Sequence, residues 1–295
     1  MNNLRQFMGL VTRRGVPWIL GLAILGPQGV VTAARLDIYP PKVVLSSPNE
    51  TLSVLVIQTT EAGRQRDVTE HVEYRLGAEG VARVTENRIA AVGDGSVTLT
   101  ATHEGQSTTM EIVVQHADQI PPVGFRRDVI PIFTKSGCNS GTCHGSSRGQ
   151  DGFRLSLFGF DPRGDYLRIT RELATRRIRL AVPESSLLLE KAIGSVPHTG
   201  GKRMEVESDA YRILRDWVRQ GAVWDEDAPR VTDLALFPPE LVLGLGDPAR
   251  LIAIATYSDG TQRDVTPWSV FQSTDDSVSS VDTDGRVVVT NRGES

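Results

Sequence analysis

An internal repeat limits the folds open to this chain, because the same structure must be able to form twice. Residues 36–45 read LDIYPPKVVL and residues 234–243 read LALFPPELVL, so apolar residues and a Pro-Pro pair take the same positions in both. A second match follows in each copy, GRQRDVT at 63–69 and GTQRDVT at 260–266. Two segments that share two motifs in the same order predict two copies of one fold.

Within each copy, short runs of alternating apolar residues, such as Val54 and Val56, are separated by turns that contain Gly or Asp. This pattern is typical of antiparallel strands packed in a sandwich. We predict one all-β sandwich over residues 35–116 and a second over residues 232–295. The second copy matches only the earlier strands of the first, so we expect it to be an incomplete sandwich.

Residues 119–229, between the copies, have a different pattern. Apolar residues at helical spacing and candidate capping residues predict helices at 123–135, 165–175 and 208–220. We therefore predict a mostly α domain in the middle of the chain. The expected fold class is multidomain: a β-sandwich, a mostly α domain and a second, incomplete β-sandwich.

Residues 1–34 have the composition of an export signal. Arginines within residues 1–14 precede an apolar stretch at 16–25, and small residues follow at 31–34, as in a secretory signal peptide. A transmembrane anchor is the alternative, but the apolar stretch is shorter than the roughly 20 residues that span a bilayer. We expect an exported protein, in the periplasm or at the cell surface.

The charge of the chain excludes one class of partner. The net charge is -4 at pH 7, whereas proteins that bind nucleic acid present a basic surface to the phosphates. No nucleic acid partner is expected. No serine–histidine–aspartate set, phosphate-binding loop or paired carboxylate motif stands out, so we assign no catalytic residue.

The two cysteines lie close together and a histidine follows them: Cys138, Cys143 and His144. Two such thiols can form thioethers with the vinyl groups of haem, and the following histidine then binds the iron. Four residues separate the cysteines instead of the usual two, which makes the motif less specific. Two alternatives remain open: a disulfide between the cysteines and a zinc site that adds His198.

Four features in order resemble the planctomycete-type cytochrome c domain. They are the cysteine–histidine motif at 138–145, the apolar segment at 152–161, PESSLL at 183–188 and WVRQGA at 217–222. The two flanking copies are similar to bacterial immunoglobulin-like group 2 domains, which share the proline-containing first strand and the DVT segment. The resemblance implies a cytochrome c-like domain over residues 119–229 with one covalent haem c on Cys138 and Cys143, and with His144 as the proximal iron ligand.

The sixth iron ligand is left open by this resemblance. His198 and Met204 are the candidates in the middle segment, and an open or water-filled position is the third possibility. The related cytochromes carry a Met-Pro element where this chain has Val196, Pro197 and His198. We favour His198 over Met204, and a second imidazole would give a lower reduction potential than a thioether ligand.

Several basic residues lie near these candidates. Lys202 and Arg203 either pair with haem propionates or are simply solvated. A cluster of arginines either docks an acidic redox partner or covers a helix surface: Arg171, Arg176, Arg177 and Arg179.

The expected function is one-electron transfer to a redox partner protein, and not catalysis. The competing hypothesis is a cell-surface binding or adhesion protein, in which the β-domains bind a polysaccharide or a protein and a disulfide closes a haem-free middle module. A third possibility is that the haem serves a catalytic domain outside this chain.

Overall fold

The computed structural model describes residues 34–48, 50–173 and 176–295. The predicted signal peptide lies outside these residues except for Ala34. The described residues belong to one compact unit. None of their helices is long and apolar enough to cross a membrane.

The first copy of the repeat forms short strands joined by tight turns. The strands are β1 (Arg35–Tyr39), β2 (Lys42–Leu45), β3 (Thr51–Ser53), β4 (Leu55–Thr59), β5 (Gln65–Asp67), β6 (Glu73–Leu76), β7 (Ala82–Thr85), β8 (Arg88–Ala91), β9 (Gly95–His103) and β10 (Gln106–Val114). They form three sheets, ordered β1-β4-β5, β2-β10-β9-β6 and β3-β8-β7. Neighbouring strands are antiparallel, except that β2 and β10 are parallel.

The second copy repeats two of these three sheets. Its strands are β11 (Val231–Phe237), β12 (Ala249–Arg250), β13 (Ile252–Tyr257), β14 (Gln262–Asp264), β15 (Ser279–Val281) and β16 (Arg286–Val289). The orders β11-β13-β14 and β12-β16-β15 correspond to β1-β4-β5 and β3-β8-β7. The described residues contain no counterpart of the four-stranded sheet in this copy.

The DVT segment of each copy forms the same turn. Asp67 Oδ1 accepts a hydrogen bond from the Thr69 N–H (3.0 Å), and Thr69 Oγ1 accepts one from the Val56 N–H (2.9 Å). The equivalent bonds recur at Asp264 and Thr266, with the same lengths. Each of the two aspartates forms a turn, since its carboxylate accepts a hydrogen bond from the N–H two residues ahead.

The Thr69→Val variant is expected to lower the free energy of unfolding by about 1–3 kcal/mol, because the buried Val56 N–H loses its acceptor. Thr69 is only 2% exposed, so water cannot replace the hydroxyl. Urea denaturation would measure the change. Thr85→Val, at an exposed position of β7, is the control, and equal stability of the two variants would contradict the prediction.

Between the two copies the chain forms short helices joined by long loops. The helices are α1 (Ile130–Lys135), α2 (Pro162–Thr170), α3 (Leu187–Ile193) and α4 (Asp209–Arg219), with a π turn at Phe125–Val129 and 3-10 turns at Leu157–Gly159 and Pro183–Ser185. Two further 3-10 turns, Thr69–His71 and Thr266–Trp268, lie in the first and second copies of the repeat. Over the described residues, strands make up 30% and helices 19%. The predicted fold class, two sandwiches flanking a mostly α cytochrome c-like domain, is wrong: the residues form five small sheets and four short helices.

The first predicted helix shows why the helical content is low. Residues 123–135 form a π turn at Phe125–Val129 before α1 begins. Pro131, at the start of α1, has no N–H to donate and favours a helix start at this point. Asp128 is buried in the π turn, and its carboxylate accepts a hydrogen bond from the Gly124 N–H (2.7 Å).

The predicted helix at 208–220 is confirmed as α4. Ser208 is its N-cap, and the hydroxyl accepts a hydrogen bond from the Tyr211 N–H. Apolar residues repeat on one face, so the helix buries Leu214 and Trp217 in the core of the middle segment. Trp217 is fully buried, and its indole N–H donates to the Val223 carbonyl (3.1 Å).

A buried ion cluster joins the three parts of the chain. Arg263, in the second copy, lies 2.7 Å from Asp128 in the middle segment and 3.6 Å from Glu50 in the first copy. Burial alone would raise the pKa of Asp128, but Arg263, Arg127 and the Gly124 N–H outweigh it and lower that pKa. Burial raises the pKa of Glu50. The cluster therefore holds Asp128 in its ionised form.

Candidate cofactor site

A cavity of about 500 Å³ lies in the middle segment, beside α3 and the loop that follows α1. All five candidate residues line it: Cys138, Cys143, His144, His198 and Met204. Its volume falls within the range of pockets that hold small molecules and cofactors. We call it the cysteine–histidine cavity.

Backbone hydrogen bonds fix the cysteine loop at the end of α1. The Cys138 N–H donates to the Phe133 carbonyl (2.8 Å), and the His144 N–H donates to the Cys138 carbonyl (3.0 Å). The chain passes so close to itself that a Cβ atom on Gly145 would lie 2.0 Å from the Asn139 carbonyl oxygen. Only glycine fits there, and the tight loop places both cysteines and the histidine on one cavity.

Both cysteines are free thiols and both are half-buried. Burial raises the pKa of Cys138 to about 11; Arg203 lowers it and Cys143 raises it further. An Arg203 nitrogen lies 3.7 Å from Cys143 Sγ. The Cys138 thiol is thus protonated near neutral pH. The disulfide considered from the sequence is not formed in this structure.

A backbone hydrogen bond orients the imidazole of His144. Nδ1 lies 2.9 Å from the Phe153 carbonyl oxygen, which can only accept, so Nδ1 carries the proton. Burial lowers the pKa of His144, and His198 lowers it as well, against the hydrogen bond to Phe153, which raises it. The result is a neutral ring whose Nε2 lone pair is free to bind a metal.

His198 repeats this arrangement across the cavity. Its Nδ1 lies 3.0 Å from the Gly201 carbonyl oxygen, so Nε2 is again the nitrogen with the free lone pair. The ring centres of His198 and His144 are 6.1 Å apart and their planes differ by 6°. The two imidazoles thus lie parallel on the same cavity.

Met204 also reaches the cavity, but as part of the apolar core of the middle segment. It is 7% exposed, and its backbone N–H donates to the Ala192 carbonyl. Of the two candidates for the sixth ligand, His198 is the one whose ring lies parallel to that of His144.

The cavity wall is rich in positive charge. Four basic residues and one acidic residue line it: Arg176, Arg177, Lys191, Arg203 and Asp151. Arg177 has a structural part in this set, because it is buried, donates to three backbone carbonyls and lies over the Phe153 ring at 4.5 Å. The other three basic residues form no ion pair within the described residues and favour an anionic ligand.

The remaining basic residues predicted near the site lie outside the wall. Lys202 forms an exposed ion pair with Glu205. Arg203, the other residue considered as a partner of the haem propionates, does line the cavity. Arg171 and Arg179 are exposed. The four arginines predicted as one cluster therefore do not form a single surface patch: Arg176 and Arg177 line the cavity, and Arg177 is buried.

Sequence reasoning missed the groups that orient the two imidazoles. Phe153 supplies a carbonyl and a ring 4.7 Å from the His144 ring, and Gly201 supplies a carbonyl to His198. Phe153 lies inside the apolar segment 152–161 on which the resemblance rests, so the sequence did indicate that this region belongs to the site. No sequence feature could have indicated the carbonyl of Gly201, because every residue has a backbone carbonyl.

The zinc alternative finds no support in the geometry. Across the residues with described positions, no three or more His, Cys, Asp or Glu side chains are grouped so that they could hold a metal ion. Haem iron is different, because the porphyrin supplies most of its ligands and the protein adds only the axial ones. No protein-family model matches the chain, and no curated protein is significantly similar to it.

Proposed function

We propose that the cysteine–histidine cavity holds one haem c, bound covalently through Cys138 and Cys143, and that the protein transfers single electrons. The observation that carries the proposal is the pair of parallel imidazoles of His144 and His198, 6.1 Å apart in a cavity that also exposes two free thiols. A bound haem would supply an iron that cycles between the ferrous and ferric states.

The residues of the cavity fit such a group. Each thiol would add across one vinyl group, so that a sulfur–carbon bond forms, the proton goes to the neighbouring carbon and nothing is released. His144 would be the proximal ligand and His198 the distal ligand, both through Nε2. The Phe153 and Gly201 carbonyls hold the Nδ1 protons and thereby the orientation of both rings.

Two protein ligands favour electron transfer over catalysis at the iron. A catalytic metal site keeps one position open for water or substrate. If His144 and His198 take both axial positions, no such position remains. Arg176, Lys191 and Arg203, which form no ion pair with any residue that the structure describes, would offset the negative charge of the propionates.

The proposal also includes export and a redox partner protein. The signal-like residues 1–34 support export, and covalent haem attachment to a Cys-Cys-His motif is a reaction of exported proteins. The resemblance of residues 138–222 to a cytochrome c domain supports the cofactor through its motifs, although the fold expected from it is not the one observed.

The test is haem retention after expression in a periplasm with haem-attachment machinery. Wild-type protein is expected to keep a c-type reduced pyridine haemochrome band after denaturation and acid-acetone extraction. The Cys138→Ala, Cys143→Ala double variant should keep none, because both thioethers are lost. His116→Ala, an exposed histidine outside the cavity, should behave as wild type. Wild-type protein without retained haem would overturn the proposal and leave the surface-binding hypothesis.

A further inference from the structure

A second cavity, of about 580 Å³, lies where the three parts of the chain meet. Thr51 and Arg88 of the first copy line it together with one face of α4 and with the DVT turn of the second copy. Among the described residues, none lines both this cavity and the cysteine–histidine cavity. We call it the junction cavity. Its volume falls within the range of sites that bind small molecules.

Helix α4 and the second DVT turn hold the walls of the junction cavity in place. Arg212 and Asp216 lie four residues apart, so they share one face of α4. The helix itself is fixed in the core of the middle segment by Trp217. On the other wall, Asp264 Oδ2 accepts a hydrogen bond from the Ser53 N–H (2.9 Å), which joins the turn to the first copy. The cavity is therefore formed before a ligand binds.

The opening of the junction cavity is not caused by the sheet that the second copy lacks. Pro267 and Trp268, which line it, correspond to Glu70 and His71 of the first copy. Glu70 and His71 are exposed, although the four-stranded sheet is present in that copy. A closed sandwich therefore leaves this turn accessible.

The charges in the wall of the junction cavity nearly cancel. Four arginines and five carboxylates line it. Most of them are already paired, as Arg263 is with Asp128 and Arg212 is with Asp209. Because groups of both signs lie side by side, the wall favours neither an anion nor a cation.

Three polar groups in the wall have hydrogen-bonding capacity to spare. The side-chain amide of Gln262 and the indole N–H of Trp268 bond to no residue that the structure describes. Asp216 accepts bonds from Arg215 and Arg219 through Oδ1, and its Oδ2 has no partner in the described part of the chain. An indole N–H that is removed from water usually has a partner. These groups together suit a ligand that both donates and accepts hydrogen bonds.

Apolar surface adjoins these polar groups. Trp268 packs partly against the apolar core of the middle segment and also lines the cavity, as Ile213 and Pro121 do. A pyranose ring has the matching chemistry, because hydroxyl groups surround its edge and C–H groups cover its faces. Such a ring is uncharged, in agreement with the balanced charges of the wall.

We propose that the junction cavity binds a neutral saccharide. The C–H face of one sugar ring would lie on Trp268, and its hydroxyl groups would bond to the Trp268 N–H, to the Gln262 amide and to Asp216 Oδ2. All three parts of the chain contribute to the site, so it exists only in the assembled protein. The proposal does not depend on haem binding, because the two cavities share no lining residue.

The test is a glycan array that carries neutral glucans, xylans and mannans beside uronate-containing and sulfated glycans, probed with the full chain. Isothermal titration calorimetry with the neutral oligosaccharide that binds best then gives the affinity. Trp268→Phe keeps an aromatic ring against the core and removes the indole N–H, and Gln262→Ala removes the amide. Each variant is expected to bind about five- to tenfold more weakly, because one hydrogen bond to the sugar is lost.

Two matched controls accompany these variants. Trp224→Phe and Gln115→Ala make the same kinds of change at residues that do not line the junction cavity, and both should bind as wild type. An increase of NaCl from about 0.1 to 0.5 M should change the affinity less than about twofold, because salt screens only charged ligands. The proposal would be overturned by an array without bound neutral glycans, by binding to acidic glycans alone, or by wild-type affinity in both cavity variants.

Discussion

The free energy of unfolding of the Asp128→Asn variant is expected to be about 3 kcal/mol lower than that of the wild type. This value is near the lower end of the cost of breaking a buried ion pair. Asp128 lies 2.7 Å from Arg263, so the substitution leaves a partly buried guanidinium with the more distant Glu50 as its remaining carboxylate. The Arg263 side chain is 22% exposed, and water relieves part of the penalty. Guanidinium denaturation near pH 7 would measure it.

The size of this effect should depend on pH. The pKa of Asp128 is lowered in the folded protein, so its ionised form contributes stability above the unfolded pKa of about 3.9. That contribution disappears as the pH falls through the lowered pKa. Glu50 has a raised pKa and acts in the opposite direction. The stability difference between wild type and Asp128→Asn should therefore shrink as the pH is lowered below about 4.

Asp276→Asn is the control for both measurements, because Asp276 is exposed. It should change stability little at any pH. A stability difference for Asp128→Asn that stays constant into the acid range would show that the carboxylate charge is not what stabilises the cluster.

The His198→Met variant is expected to raise the reduction potential of the haem-loaded protein by on the order of 0.1 V, since axial ligands tune haem potentials over about 0.8 V. A thioether ligand favours the ferrous state more than an imidazole does. This expectation depends on the proposed function. Spectroelectrochemical titration of the purified protein would measure the potential and show the change of ligand in the visible spectrum.

Met204→Leu is the matched control, because it removes the other candidate ligand and keeps an apolar side chain of similar size in the core. It should leave the potential and the spectrum close to those of the wild type. If Met204→Leu changes the spectrum and His198→Met does not, then Met204 is the sixth ligand and the parallel ring of His198 has another role.

Features that depend on neighbouring residues were predictable from the sequence. The turns at Asp67 and Asp264 and the cap of α4 at Ser208 rest on hydrogen bonds within a few residues. The candidate ligands were also found, because thiols and imidazoles are scarce in this chain, and the structure places all of them on one cavity.

Features that depend on distant contacts were not predictable. The helix predicted at 123–135 is divided into a π turn at Phe125–Val129 and the short helix α1, and the spacing of its apolar residues does not reveal that division. The position of Asp128 is set by Arg263, which is far away in the sequence. Periodicity describes one element at a time and gives no information on such partners.

The apolar core of the first copy includes Ile252 and Ile254 of β13, and the rings of Tyr39 and Phe237 lie 6.0 Å apart beside them. The core of the first copy is therefore completed by residues that lie far later in the sequence than β1–β10. Contacts at this sequence separation slow folding, because a long stretch of chain must be closed into a loop before they form. The same contacts couple the stability of the two copies. If β13 unfolds locally, β1 loses part of the core against which it packs, so the first copy is destabilised as well.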